Sequence, residues 1–218
     1  MNTELVIIGT IHIGRETSPQ YADFLTNSFD SIKPDLLLAE VADYEREDNR
    51  LAEVKPEYPE IIFPYAEKQK IEVIGVLPGE EQRNKMEQAK ATVMAQIENN
   101  QWMRMIWEYA SQWEDVAYGR ILGMLENPVS MERLQMPEVD VLHFSAWFDS
   151  LSKYFPEYLE LWNQWNALIL NNVQDVIKGH DGKRLILTIG QAHKYWLTEK
   201  LSGQTGLSVY DLISYKNK

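Results

Sequence analysis

The 218-residue chain carries 21 Lys and Arg against 33 Asp and Glu, a formal net charge of −12, with 44% hydrophobic and 25% charged residues. That balance suits a soluble globular chain of one domain, or one domain with an insertion. It argues against binding nucleic acid or anionic lipid, both of which require clustered cations. The absence of cysteine excludes disulfides and thiolate metal sites, so a metal here would rest on His, Asp, Glu, Asn or water.

The first element expected is a buried strand at Leu5 to Ile8, "LVII", a continuous apolar run that stops at Gly9. Glu4 stands where a signal peptide would carry basic residues, and no run is long and apolar enough for a membrane helix, so cytoplasmic residence is expected. Tyr21, Phe24, Leu25, Phe29 and Ile32 recur at helical spacing. "LLLA" (Leu36 to Ala39) is a second strand that ends in Glu40, and Ile61 to Lys70 reads as a helix. "IEVIGV" (Ile71 to Val76) is a third strand. Strand, helix, strand, helix, strand predicts parallel βαβ units with right-handed crossovers.

From Glu80 to about Leu125 no strand signal occurs. Val93, Ile97, Ile106, Tyr109, Trp113, Val116 and Ile121 suggest one or two long helices, with a break near Gly119 or Gly123. "ENPVS" (Glu126 to Ser130) is a turn signal, and a looser segment runs to about Asp140. His143 to Phe155 reads as a helix, and Pro156 as the first turn of the next, with Gly179 at its end. "RLILTIG" (Arg184 to Gly190) is a strand, His193 to Gly203 a helix, and "LSVYDLISY" (Leu207 to Tyr215) a last strand. The fold class expected is a single α/β domain with a mainly parallel sheet, built from N- and C-terminal βα units. A large helical insertion, about residues 80–180, covers the carboxyl edge of that sheet.

One pattern occurs twice. "VIIGTIHIG" and "LTIGQAHKY" are each an apolar strand followed by Gly-x-x-His, with Gly9 before His12 and Gly190 before His193. Ligands of open α/β sheets bind beyond the carboxyl ends of the strands, and a glycine there lets the backbone turn tightly and approach a ligand. Glu40 also follows a strand directly. If the three strands are neighbours, His12, Glu40 and His193 converge, and two imidazoles with a carboxylate suit a divalent ion with open positions. The plain alternative is that the histidines satisfy loop backbone groups and Glu40 is an ion pair or a cap.

The "GTIH" and "GQAH" pair, with an acidic residue after the second strand, resembles the TraB/TIKI family, within a wider superfamily of ChaN-like and erythromycin-esterase-like proteins. The likeness runs from the N-terminus to Glu40 and from about Arg184 to the C-terminus. It implies a hydrolase of amide, peptide or ester bonds, with His12, Glu40 and His193 as the catalytic centre and Gly9 and Gly190 shaping the loops. TIKI members are metal-dependent proteases, which implies that the same three residues hold a divalent metal such as Mn, Co or Zn. Arg83–Asn84, followed by Met86, resembles an Arg-Asn element of the family, although that element usually lies shortly before the second Gly-x-x-His. Two mechanisms are open: metal-bound water attacks an acyl carbon, or an imidazole acts directly as general base on water.

Further substrate contacts are expected from Tyr195, Arg83 and Arg15, with surface positions as the alternative. Lys194 stands beside Tyr195 with the same alternative. Glu80 and Glu81 either approach the site or complement a helix dipole, and His143 and His180 read as structural or solvent-facing. The tryptophans of the helical middle read as core, or as the lining of an apolar cleft. The partner expected is a small-molecule or peptide substrate, with neither nucleic acid nor membrane. A rival reading is a non-catalytic protein that holds a metal, haem or small molecule in the same cleft.

Overall fold

The computed structural model describes residues 2–46, 48, 50–124 and 128–218. Strand β1 (Thr3–Thr10) leads into α1 (Pro19–Ile32), whose first turn is capped by the Ser18 hydroxyl accepting from the Tyr21 N–H. Strand β2 (Leu36–Ala39) is followed by a 3₁₀ turn (Asp43–Glu45) and the single-turn α2 (Leu51–Val54). A π-helical segment (Tyr58–Ile62) then runs into α3 (Phe63–Gln69) and β3 (Glu72–Gly75). Five helices follow: α4 (Glu80–Asn99), α5 (Gln101–Met124), α6 (Pro128–Arg133), α7 (Pro137–Tyr154) and α8 (Pro156–Lys178). The chain closes with β4 (Arg184–Gly190), α9 (Gln191–Leu201), β5 (Leu207–Asp211) and α10 (Leu212–Lys216).

The five strands are all parallel, in the order β3-β2-β4-β1-β5. Their side chains alternate between two cores. Val6, Ile8, Leu37 and Ile186 pack with α1, α3, α6 and α10, while Leu5, Ile7, Leu36, Leu38, Leu185 and Leu187 pack with α8 and α9. A sheet covered on both faces needs continuous apolar strands, which is why these runs lack polar alternation. A third cluster, around Ile97, Leu151 and Phe155, lies within the helices between β3 and β4.

Several boundaries differ from expectation. The long helical stretch is divided at Asn100, whose side-chain oxygen accepts from the N–H groups of Trp102 and Met103, whereas α5 runs unbroken through Gly119 and ends at Met124, next to Gly123 and to residues outside the described set. A glycine inside a helix costs only about 1 kcal/mol, which is insufficient by itself to end one. The expected loose segment before Asp140 contains α6 and the start of α7. Of the expected turn at Glu126 to Ser130, residues 126 and 127 lie outside the described residues, and Pro128 opens a helix. The last strand stops at Asp211, whose carboxylate accepts from the N–H groups of Ile213 and Ser214 and so starts α10 where a longer strand was expected.

Strand order positions the site. The chain leaves β1, passes over β4 and adds β2 and then β3; after β4 it passes over β1 to add β5 on the other side. The direction of winding therefore reverses between β1 and β4, and the crevice at such a reversal is where open α/β sheets receive ligands.

Candidate active site

β4 lies between β1 and β2, with Thr10 opposite Gly190 and Ala39 opposite Thr188. The two Gly-x-x-His turns and Glu40 therefore leave the same edge side by side. A Cβ on Gly190 would stand 3.0 Å from Glu40 Oε2 and 3.3 Å from His12 Nε2, so both groups crowd one glycine. Gly9 is packed more tightly still, because a Cβ there would overlap the Gln191 side-chain oxygen. His12 has φ 53°, a left-handed conformation unusual for a side chain of its size. Such backbone strain persists only where surrounding contacts fix it, and it collects at functional sites.

The contact that fixes His12 comes from Glu57, just before the π-helical segment. His12 Nδ1 lies 2.8 Å from Oε1 of Glu57, a carboxylate with no exposed surface. A carboxylate only accepts, so in the neutral imidazole Nδ1 carries the proton and Nε2 keeps its lone pair. The other oxygen of Glu57 has no hydrogen-bond partner among the described residues. Burial pushes His12 down, but the hydrogen bond to Glu57 and the charges of Glu40 and Glu57 outweigh it, leaving the imidazole above its ordinary value.

Glu40 is buried at 4% exposure and fully engaged. Lys55 donates to its Oε1 at 2.8 Å and to its backbone carbonyl at 2.7 Å, and the Gly190 N–H donates to Oε2. Burial alone would raise this carboxyl; Lys55, His193 and His12 together lower it to about 2. Tyr58 closes the arrangement from below. Its hydroxyl accepts from the Glu40 N–H at 3.1 Å and donates to the Thr188 carbonyl at 3.0 Å, tying the ends of β2 and β4 together. Burial, with the charges of Glu40 and Glu57, pushes this phenol well up and keeps it neutral.

His193 stands in the first turn of α9. Its Nδ1 lies 2.7 Å from the side-chain oxygen of Asn166 on α8, and its ring stacks on Trp162 at 5.7 Å with an interplanar angle of 9°. Asn166 is buried and offers that oxygen only as an acceptor, so His193 Nε2 also keeps its lone pair. Burial lowers this histidine, and the opposing pull of Glu40 does not restore it.

The metal-ligand role expected for His12, Glu40 and His193 does not fit this arrangement. Both Glu40 oxygens already accept hydrogen bonds, and one of them holds an ammonium that a dication would have to displace. Among the described residues no group of three His, Asp or Glu is placed to hold a metal ion.

The outlying candidates lie elsewhere. Arg83 pairs with Glu45 and reaches toward the Tyr44 hydroxyl at 3.4 Å. Arg15 is exposed and lines a surface hollow with Asp30 and Tyr65. Tyr195 is 36% exposed on α9, whereas Lys194 is buried and donates to the Gln135 carbonyl at 2.7 Å. Glu80 and Glu81 sit exposed in the first turn of α4, and His180 contacts the Val176 carbonyl. The side chains of His143, Trp113 and Trp147 lie outside the described residues. Trp102 is 66% exposed, while Trp107, Trp162 and Trp165 line a cavity that reaches His193. Sequence reasoning passed over Lys55, Glu57, Tyr58 and Asn166. The signal available was "KPEYPE" (Lys55 to Glu60), which places Glu57 and Tyr58 between two prolines, with Lys55 just before them, in a segment with no helical period.

No protein-family model, no curated protein and no solved structure matches the chain.

Proposed function

We propose that the protein is a hydrolase of ester or amide bonds that uses His12 as general base without a metal. The observation that carries this reading is the His12–Glu57 pair: a strained, positive-φ histidine at the sheet's winding reversal, bound through Nδ1 to a buried carboxylate. His12 Nε2 takes a proton from water as the water oxygen attacks the acyl carbon, and Glu57 stabilises the imidazolium that forms. The proton then passes from Nε2 to the leaving oxygen or nitrogen as its bond to the acyl carbon breaks. His193, held neutral, accepts a second hydrogen bond from the attacking water. Glu40 and Lys55 act through position, since the carboxylate anchors the Gly190 turn and the ammonium neutralises it. The paired Gly-x-x-His turns support kinship with the TraB/TIKI family, and within that superfamily this reading follows the metal-free branch of the chemistry.

The test is hydrolysis of 4-nitrophenyl acetate and of an acyl anilide by the purified protein, with and without chelator. Turnover that persists in EDTA and is lost in His12→Ala is expected. Turnover abolished by EDTA and restored by Mn²⁺ would return the site to metal chemistry. Equal rates in wild type and His12→Ala would end the catalytic role of His12.

The aromatic cavity beside His193 favours a second reading, a protein that holds a small molecule there without turnover. Tight binding of such a molecule with no hydrolysis of any ester or amide would select it.

A further inference from the structure

The crevice continues away from the sheet into a cavity of about 360 Å³. Met86 of α4, Trp107 of α5, Tyr158, Trp162 and Trp165 of α8, and His193 of α9 wall it. Its surfaces are mostly rings, with a thioether and the aliphatic Leu161 and Ala192, materials that adapt to flat apolar groups. Glu87 and Lys90 are exposed at its rim and carry opposite charges, so the rim presents no net charge to an ionic group. Lys90 Nζ lies 5.9 Å from the Tyr158 ring centroid, and Tyr158 meets Trp107 edge to face at 4.8 Å, so the phenol is fixed from both sides. The near-parallel stack of Trp162 on His193 joins this wall to the site, because His193 is both a wall of the cavity and the histidine of the second Gly-x-x-His turn.

We infer that this cavity binds an uncharged, flat aromatic group of the substrate, one ring or two fused rings, next to the bond that is cleaved. The inference rests on the hydrolase reading for the bond, and on the cavity alone for the ring. Size favours a ring over an extended peptide or a macrocycle, since the volume lies at the low end of the roughly 300–1,000 Å³ that ligand sites span. Trp162 and His193 both line the cavity, so a flat group bound there lies next to the site.

Two measurements separate the inference from the reading beneath it. Calorimetric titration with 2-naphthamide is expected to show one saturable site, weakened about tenfold or more by Met86→Glu, which places a charge on the half-exposed wall. Trp107→Leu, a wall variant that adds no charge, is expected to weaken it as well, and circular dichroism checks that both variants fold. In parallel, a pH-stat follows methyl 2-naphthoate, 2-naphthyl acetate and ethyl acetate. At least one naphthyl ester is expected to exceed ethyl acetate in kcat/KM by about tenfold beyond its advantage in free solution, with that margin reduced in Met86→Glu. Saturable naphthamide binding with no hydrolysis of any ester would keep the ring site and overturn the hydrolase. Hydrolysis with no preference and no naphthamide binding would keep the hydrolase and overturn the ring site. Naphthamide binding that is equal in wild type and both folded variants would also overturn it.

Discussion

The two Gly-x-x-His turns share a sequence pattern, a strand edge and adjacent registers, yet they hold their histidines in opposite electrostatic states. His12 leaves β1 in a left-handed conformation and meets the carboxylate of Glu57; His193 joins a regular helix and meets the neutral amide of Asn166. The first is pushed above the ordinary imidazole value and the second below it. Each Nδ1 is committed to an acceptor, so each neutral ring keeps its Nε2 lone pair as a base, and the partner behind the ring decides its strength. Two titratable groups whose surroundings drive them apart are the mark of divided acid–base roles. Motif repetition thus located the edge, and residues outside the motif set the chemistry.

The sharpest way to break the contrast is Glu57→Gln, which gives His12 the same kind of partner as His193. A fall in kcat of about 10³-fold is expected, with the acid limb of the kcat/KM profile moving to lower pH as His12 loses its raising partner. An unmoved profile would show that Glu57 does not set the base. Next is Lys55→Met, which leaves the Glu40 carboxylate buried without its cation. A loss of about 3 kcal/mol in urea unfolding is expected, relieved in part when Glu40→Gln is added. The folded value of Glu40, about 2 against 4.5 for the free group, also sets a pH dependence. Above about 4.5 the carboxylate is charged in both states and its stabilisation is complete. Between 4.5 and about 2 the unfolded chain takes up a proton that the folded chain does not, and the contribution is lost.

A smaller effect is expected from Gly190→Ala, whose methyl group would press on Glu40 Oε2 and His12 Nε2. Moving the two by a few tenths of an ångström should lower kcat about tenfold with little change in KM. The smallest signal is the most direct. In a proton NMR titration the His12 ring should change protonation above pH 6.5 and the His193 ring below it. Coincident titrations would erase the distinction between the two turns.

Much of the frame was legible in the chain. Buried parallel strands announce themselves as unbroken apolar runs, so β1, β2 and β4 were plain, and with them His12, Glu40 and His193 at their ends. What could not be read was strand order, which depends on packing between distant segments and decides that β4 separates β1 from β2. The partners of the site were hidden for the same reason. Glu57 lies 45 positions from His12, and Asn166 lies 27 from His193, spacings that no local period encodes. The end of β5 was readable and missed: Asp211 before Leu212 and Ile213 is a helix cap ahead of an apolar run, a signal that outweighs the β-branched Ile213 beyond it.

One contact in the helical segment bears on how the site is kept. β5 pairs with β1 only as far as Ile7, so among the described residues the β5 side of β1 at Gly9 has no strand beside it, although β4 pairs with it on the other side. Gln135, between α6 and α7, takes that place: its side-chain oxygen accepts from the Gly9 N–H at 2.8 Å and its nitrogen donates to the Gly9 carbonyl at 3.0 Å. A single amide thus completes the sheet where the ladder runs out. The Gly9 amide proton should therefore exchange with solvent only when the connection between α6 and α7 lifts away. Its protection would serve as a clock for the opening of the helical cover over the crevice, read at one backbone position without any substrate.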